Sequence, residues 1–134
     1  MTQQNKPVYR HKDDHRIPKW NWVKKSKWIV SIKEEEDIFN TGYSANWFFK
    51  NDIWSLKYTN DNLCVIGEDY RPEILKKGQK YAELVVAKFI VDQGCWHGYP
   101  VNPLTDPPDS SLLTVWSQTP GIPKRKIMKI HTIR

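Results

Sequence analysis

The segment from Gln79 to Gln93 constrains the fold most, because the chain concentrates its apolar side chains there in a regular pattern. Ala82, Val85, Val86, Phe89 and Ile90 recur at i, i+3, i+4, i+7 and i+8, with Lys80, Glu83 and Lys88 between them. That spacing predicts an amphipathic helix over residues 79–93 that forms the core of the second half of the chain. Gly94 follows, where a helix terminus favours a residue that tolerates the left-handed conformation.

Upstream the pattern favours strands. Trp28-Ile29-Val30-Ser31-Ile32 gathers aromatic and β-branched residues and predicts a strand at about 27–32. The run Glu34-Glu35-Glu36-Asp37 ends it and begins a polar connection that turns at Asn40-Thr41-Gly42. Residues 53–59 and 63–68 flank Asn60-Asp61-Asn62 and predict a hairpin. Asp69 and Pro72 mark a helix start that Gly78 cuts short.

Downstream, Cys95 to Asp109 contains four prolines and Gly98, which predicts a rigid loop rather than regular structure. A short helix then starts at Pro108 or Asp109 and places Leu112, Leu113 and Trp116 on one face. The expected architecture is α+β: a small antiparallel sheet in the N-terminal half, with its hairpin at about 53–68, packed against a C-terminal helical half. A chain of 134 residues fits one domain, 1–134, and residues 1–19, with Pro7 and Pro18 and little apolar periodicity, read as an extended arm.

Seven Trp, six Tyr and four Phe supply the apolar area that a mean hydropathy of -0.70 otherwise lacks, which argues for a packed, aromatic-rich core. No apolar run exceeds four residues, so no membrane span is expected, and the polar start Met1-Thr2-Gln3-Gln4-Asn5-Lys6 is unlike a secretory leader. Cys64 and Cys95 stand far apart, without a Cys-x-x-Cys pair, which points to free thiols and a cytoplasmic setting. No motif calls for a cofactor. His11 and His15 have the i, i+4 spacing of a metal pair, but prolines flank the segment and no further ligands are apparent, so no metal site is assigned.

The net charge of +6 is segregated. Residues 1–33 carry nine Lys or Arg against two acids, residues 34–73 carry nine acids against three basic residues, and residues 124–134 carry five basic residues and no acid. Basic ends interleaved with aromatics suit a polyanion, because counterion release drives binding and aromatic faces stack on bases. The same segregation also suits basic ends that fold back on the acidic middle.

The sharpest functional pattern is at the C-terminus. Leu112-Leu113-Thr114-Val115-Trp116 reads as an apolar helix, Thr119-Pro120-Gly121 breaks it, and Pro123 opens the basic stretch Lys124-Arg125-Lys126-Ile127-Met128-Lys129-Ile130. With Gly121 at the turn, Trp116, Ile122, Ile127 and Ile130 occupy the apolar positions of a helix-turn-helix and Ser117 the small one, while Pro120 fits its position poorly. On this resemblance in spacing, Lys124, Arg125, Lys126 and Lys129 contact phosphates or base edges. Trp20 and Trp22 with Lys24, Lys25 and Lys27 form a second candidate, a clamp for single-stranded nucleic acid, in which Lys19 and Trp28 also take part. The same residues equally suit an exposed sheet edge guarded by lysines.

The leading expectation is therefore a small basic, non-enzymatic protein that binds nucleic acid. Two alternatives stay open. One is a protein-interaction module, an inhibitor or immunity-type protein, that binds through the acidic middle. The other is a small ribonuclease-type toxin with His97 of Trp96-His97-Gly98-Tyr99-Pro100 as acid or base, oriented by Asp92, Asp106 or Asp109.

Overall fold

A computed structural model describes residues 7–16 and 25–130. Sheet, not helix, dominates it: the described residues form nine strands in three sheets, with helices near either end. The expected C-terminal helical half is not found.

The helix expected at 79–93 is instead β7 (Ala82–Leu84) and β8 (Val86–Asp92). β7 alternates, with Ala82 and Leu84 buried and Glu83 exposed. β8 is buried on both sides over its first half, which explains the misreading. Val86 packs with Trp54, Leu56 and Trp116, whereas Ala87 and Phe89 pack with Ile38, Phe39 and Ile53. Leu84 and Ala87 are also buried, and both lie off the supposed helical stripe. The continuous run Leu84-Val85-Val86-Ala87 was the strand signal.

The loop expected at 95–103 is largely β9 (Cys95–Val101), joined to β8 by a two-residue turn at Gln93 and Gly94, with φ of 51° and 78°. Such turns match the twist of the strands they join. Pro100 is tolerated because β9 lies at the sheet edge, in the order β2-β3-β8-β9, where β2 is Phe48–Phe49 and β3 is Asp52–Leu56. Gly98 sits opposite Phe89, and a Cβ there would lie 2.1 Å from the Phe89 ring.

The hairpin expected at 53–68 does not form over that span. Asn60 and Asp61 do turn, with φ of 50° and 62°, but they join only β4 (Tyr58–Thr59) to β5 (Asn62–Leu63). β3 pairs with β2 and β8, in the register Ile53 to Phe89 and Leu56 to Val86. Residues 67–69 form β6, which lies between β1 (Lys27–Trp28) and β7 in the second sheet. Pro72 opens a single 3-10 turn, Pro72–Ile74.

The polar connection expected after residue 32 is helix α1 (Ile32–Ser44). Ser31 starts it with a capping box: its Oγ accepts from Glu34 N–H at 3.1 Å, and the Glu34 carboxylate accepts from Ser31 N–H. Such a cap contributes about 1 kcal/mol. Glu35, Ile38, Phe39 and Gly42 form the buried stripe at i, i+3, i+4 and i+7. Glu35 is fully buried and is matched by Arg16, whose Nη2 donates at 2.8 Å, and by the Tyr9 hydroxyl. Arg16 also donates to the Val30 carbonyl at 2.7 Å. Residues 8–10 hydrogen-bond along β9, with Trp96 N–H donating to Val8 and Arg10 N–H to Trp96.

The result is layered. α1 covers one face of the β3–β8 pair, while helices α2 (Ser110–Ser117) and α3 (Lys124–Met128) cover the other. Gly98→Ala forces the Phe89 ring out of its packing against Phe39 and Trp28. We expect a loss of roughly 1–3 kcal/mol in urea denaturation. A variant as stable as wild type would show that the close approach of β9 to Phe89 is not tight.

Candidate nucleic-acid interface

Asp109 caps α2 by accepting from Ser111 N–H at 3.0 Å, and Leu112 and Trp116 face the core. The chain then turns at Gly121, whose φ of +88° favours a residue without Cβ, and Ile122 N–H donates to the Thr119 carbonyl. α3 follows at once, with Pro123 at its N-cap and no side-chain cap. Ile122, Ile127 and Ile130 are buried against Trp116, Trp47 and Leu56, so the apolar side of this segment is locked inward.

Lys124, Arg125, Lys126 and Lys129 are all exposed. None of Lys124, Arg125 and Lys126 makes an ion pair with a described residue, and Lys126 reaches only the Asn62 side chain, at 3.4 Å. The acidic run of α1 is engaged elsewhere: Glu34 with Lys57, Glu35 with Arg16, and Asp37 with Lys33. Lys124, Arg125 and Lys126 therefore make no ion pair with the acidic helix. At five residues, α3 spans only about a turn and a half.

Of the N-terminal candidates, Trp20, Trp22 and Lys24 lie outside the described residues, as does Lys19. Lys25 Nζ lies 3.1 Å from Asp14, and Lys27 sits in β1 opposite Glu68. Trp28 is a core residue whose Nε1 donates to the Gly98 carbonyl at 3.2 Å.

His97 lies on β9, its Nδ1 3.2 Å from the Arg10 carbonyl, in a hollow of about 310 Å³ lined by Arg10, Lys12, Asp92 and Cys95. Asp106 is paired with Lys88 and Asp109 caps α2, so neither orients it. Asp92 shares the hollow but makes no hydrogen bond to the ring. No acid and base are joined here.

The sequence marks His15 only by its spacing from His11, and the structure gives it a different setting. His15 lines a cleft of about 480 Å³ with Lys25, Ser26, Arg71, Tyr99, Pro100, Asn102 and Asp106. Its ring lies on that of Tyr99, with centroids 5.2 Å apart and planes 13° from parallel. Its Nδ1 is 2.7 Å from the Ser26 carbonyl. A carbonyl only accepts, so Nδ1 carries the proton of the neutral ring and Nε2 keeps its lone pair. Burial, partly opposed by the bond to Ser26, lowers the His15 pKa below 6.5, and Lys25 lowers it further. Burial also raises the Tyr99 pKa. Arg71 is held by the buried carboxylate of Asp69, which also accepts from Asn102 Nδ2 at 3.3 Å. These residues come from separate segments, and no spacing in the sequence marks them as a group.

Cys64 and Cys95 are free and half-buried. Among the described residues no three His, Cys, Asp or Glu side chains are placed to share a metal ion, and no helix is long and apolar enough to cross a membrane. No family model, curated protein or solved structure matches the chain.

Because folded His15 holds its proton less tightly than the unfolded ring, unfolding takes up a proton in acid. Its contribution to stability is complete above about 6.5 and is lost as pH falls from there through the lower folded value. The urea midpoint of the wild type is expected to fall more steeply across that range than that of His15→Asn. Parallel pH profiles would contradict the assignment.

Proposed function

We propose that the protein is a non-enzymatic binder of nucleic acid that acts in the cytoplasm and uses the basic outer face of its C-terminal helix pair. The observation that carries this reading is the disposition of Lys124, Arg125, Lys126 and Lys129: all exposed on one short segment whose other side is anchored in the core. A fixed cluster of cations without acidic neighbours in its own helix gives a polyanion a site at little ordering cost. The short α3 favours contacts to the phosphate backbone over deep reading of a groove. Backbone contacts position a nucleic acid without selecting its sequence.

Fluorescence anisotropy of labelled duplex DNA, single-stranded DNA and RNA, at a series of salt concentrations, tests this reading. Binding is expected to weaken steeply with salt. In the Lys124/Arg125/Lys126/Lys129→Ala variant the logarithmic slope on duplex DNA should shrink by about 3 to 4, the contribution of four neutralised phosphates. Absence of binding at low salt, or an unchanged slope in the variant, contradicts the proposal. Shortening of the RNA during the titration would contradict its non-enzymatic part.

A further inference from the structure

We propose that the cleft around His15 is a binding site for an uncharged, planar, hydrogen-bonding heterocycle, specifically a nucleobase presented as a nucleoside, and that it is separate from the C-terminal basic face. The cleft volume of about 480 Å³ is within the range of small-molecule sites. Its chemistry distinguishes a base from a phosphate. The lysine and the arginine at its wall are already matched, Arg71 by Asp69 and Lys25 by Asp14, and the wall carboxylate Asp106 is matched by Lys88. With the charge matched in this way, the cleft has no excess of cations to draw a bare anion.

What remains unsatisfied is hydrogen-bonding capacity on an apolar wall. His15 Nε2 is an acceptor that no donor reaches among the described residues, because the ring's proton is committed to Ser26 through Nδ1. The Tyr99 hydroxyl, which can donate or accept, makes no hydrogen bond to a described residue. Arg71 uses Nε and Nη2 on Asp69 and Thr105, leaving the two N–H groups of Nη1 without a partner among the described residues. The stacked His15 and Tyr99 rings, Pro100 and Val101 supply the apolar surface. An acceptor, a hydroxyl and a fixed donor around an apolar wall complement the mixed donor and acceptor edge of a nucleobase. An ionised carboxylate or a fully ionised phosphate offers acceptors only, and so supplies no donor to His15 Nε2.

The test is calorimetric titration of the full chain with adenosine, guanosine, cytidine and uridine, beside the corresponding nucleoside monophosphates and inorganic phosphate. Saturable binding is expected for at least one nucleoside, with little gain from its phosphate and none from inorganic phosphate alone. Tyr99→Phe removes a hydroxyl that holds nothing in the fold and should weaken binding roughly three- to tenfold. His15→Asn, which keeps a donor for the Ser26 carbonyl but loses Nε2, should weaken it similarly. The Lys124/Arg125/Lys126/Lys129→Ala variant should bind nucleosides like wild type, so the two proposals fail independently. Inorganic phosphate binding as well as any nucleoside, no nucleoside binding, or undiminished affinity in Tyr99→Phe would overturn the inference.

Discussion

The structure depends on the β3–β8 strand pair being buried on both faces. Ile53, Ser55, Ala87 and Phe89 point one way, and Trp54, Leu56 and Val86 the other, and all seven are buried. A sheet with two apolar faces needs a cover on each, and the chain supplies α1 on one side and the α2–α3 pair on the other. Lys88 is the charged residue within the covered stretches 53–56 and 86–89. Its ammonium lies 4.9 Å from the centre of the Trp54 ring and bonds to Asp106, so its stem is covered while its charge is matched. The location of the basic face follows from this arrangement. Once Ile122, Ile127 and Ile130 are drawn into the core, Lys124, Arg125, Lys126 and Lys129 have only the outside left to occupy.

A second constraint fixes the cleft. Glu35 is buried on α1, and an unpaired carboxylate there would be costly, so Arg16 and Tyr9 are held against it. Arg16 is also tied to Val30 and lies over the Trp28 ring. His15, the adjacent residue, is thereby delivered to Tyr99 on the edge strand. The ion pair that fastens residues 8–16 to α1 thus also builds one wall of the cleft, whereas Asp69 and Arg71 on the second sheet build another.

Several of these features were legible in the sequence. Asp109 and the apolar face of Leu112 and Trp116 mark α2, and the tight break at Gly121 is where the structure turns. Helix α1 was also marked, by Ser31 and Glu34 at capping-box spacing, but its stripe contains Glu35 and Gly42 and so looked polar. In the sequence β8 imitates a helix, because a strand buried on both faces loses its alternation. β9 looks like a loop, because Gly98 is there to make room for Phe89 and Pro100 is tolerated at an edge, and neither reason exists until β8 is in place. The cleft was not legible at all. His15, Arg71 and Tyr99 are brought together by tertiary contacts, and the spacing of His15 from His11 says nothing of the other two.

Residue-resolved NMR mapping with a short single-stranded oligonucleotide reports where a nucleic acid touches the folded chain. Amide shift changes are expected to concentrate at residues 124–130, with any base-dependent changes at His15, Arg71 and Tyr99, and none along the acidic side of α1 at Glu36 and Asp37. Shifts centred on α1, or no saturable shifts at low salt, would contradict nucleic-acid binding through the basic C-terminal face.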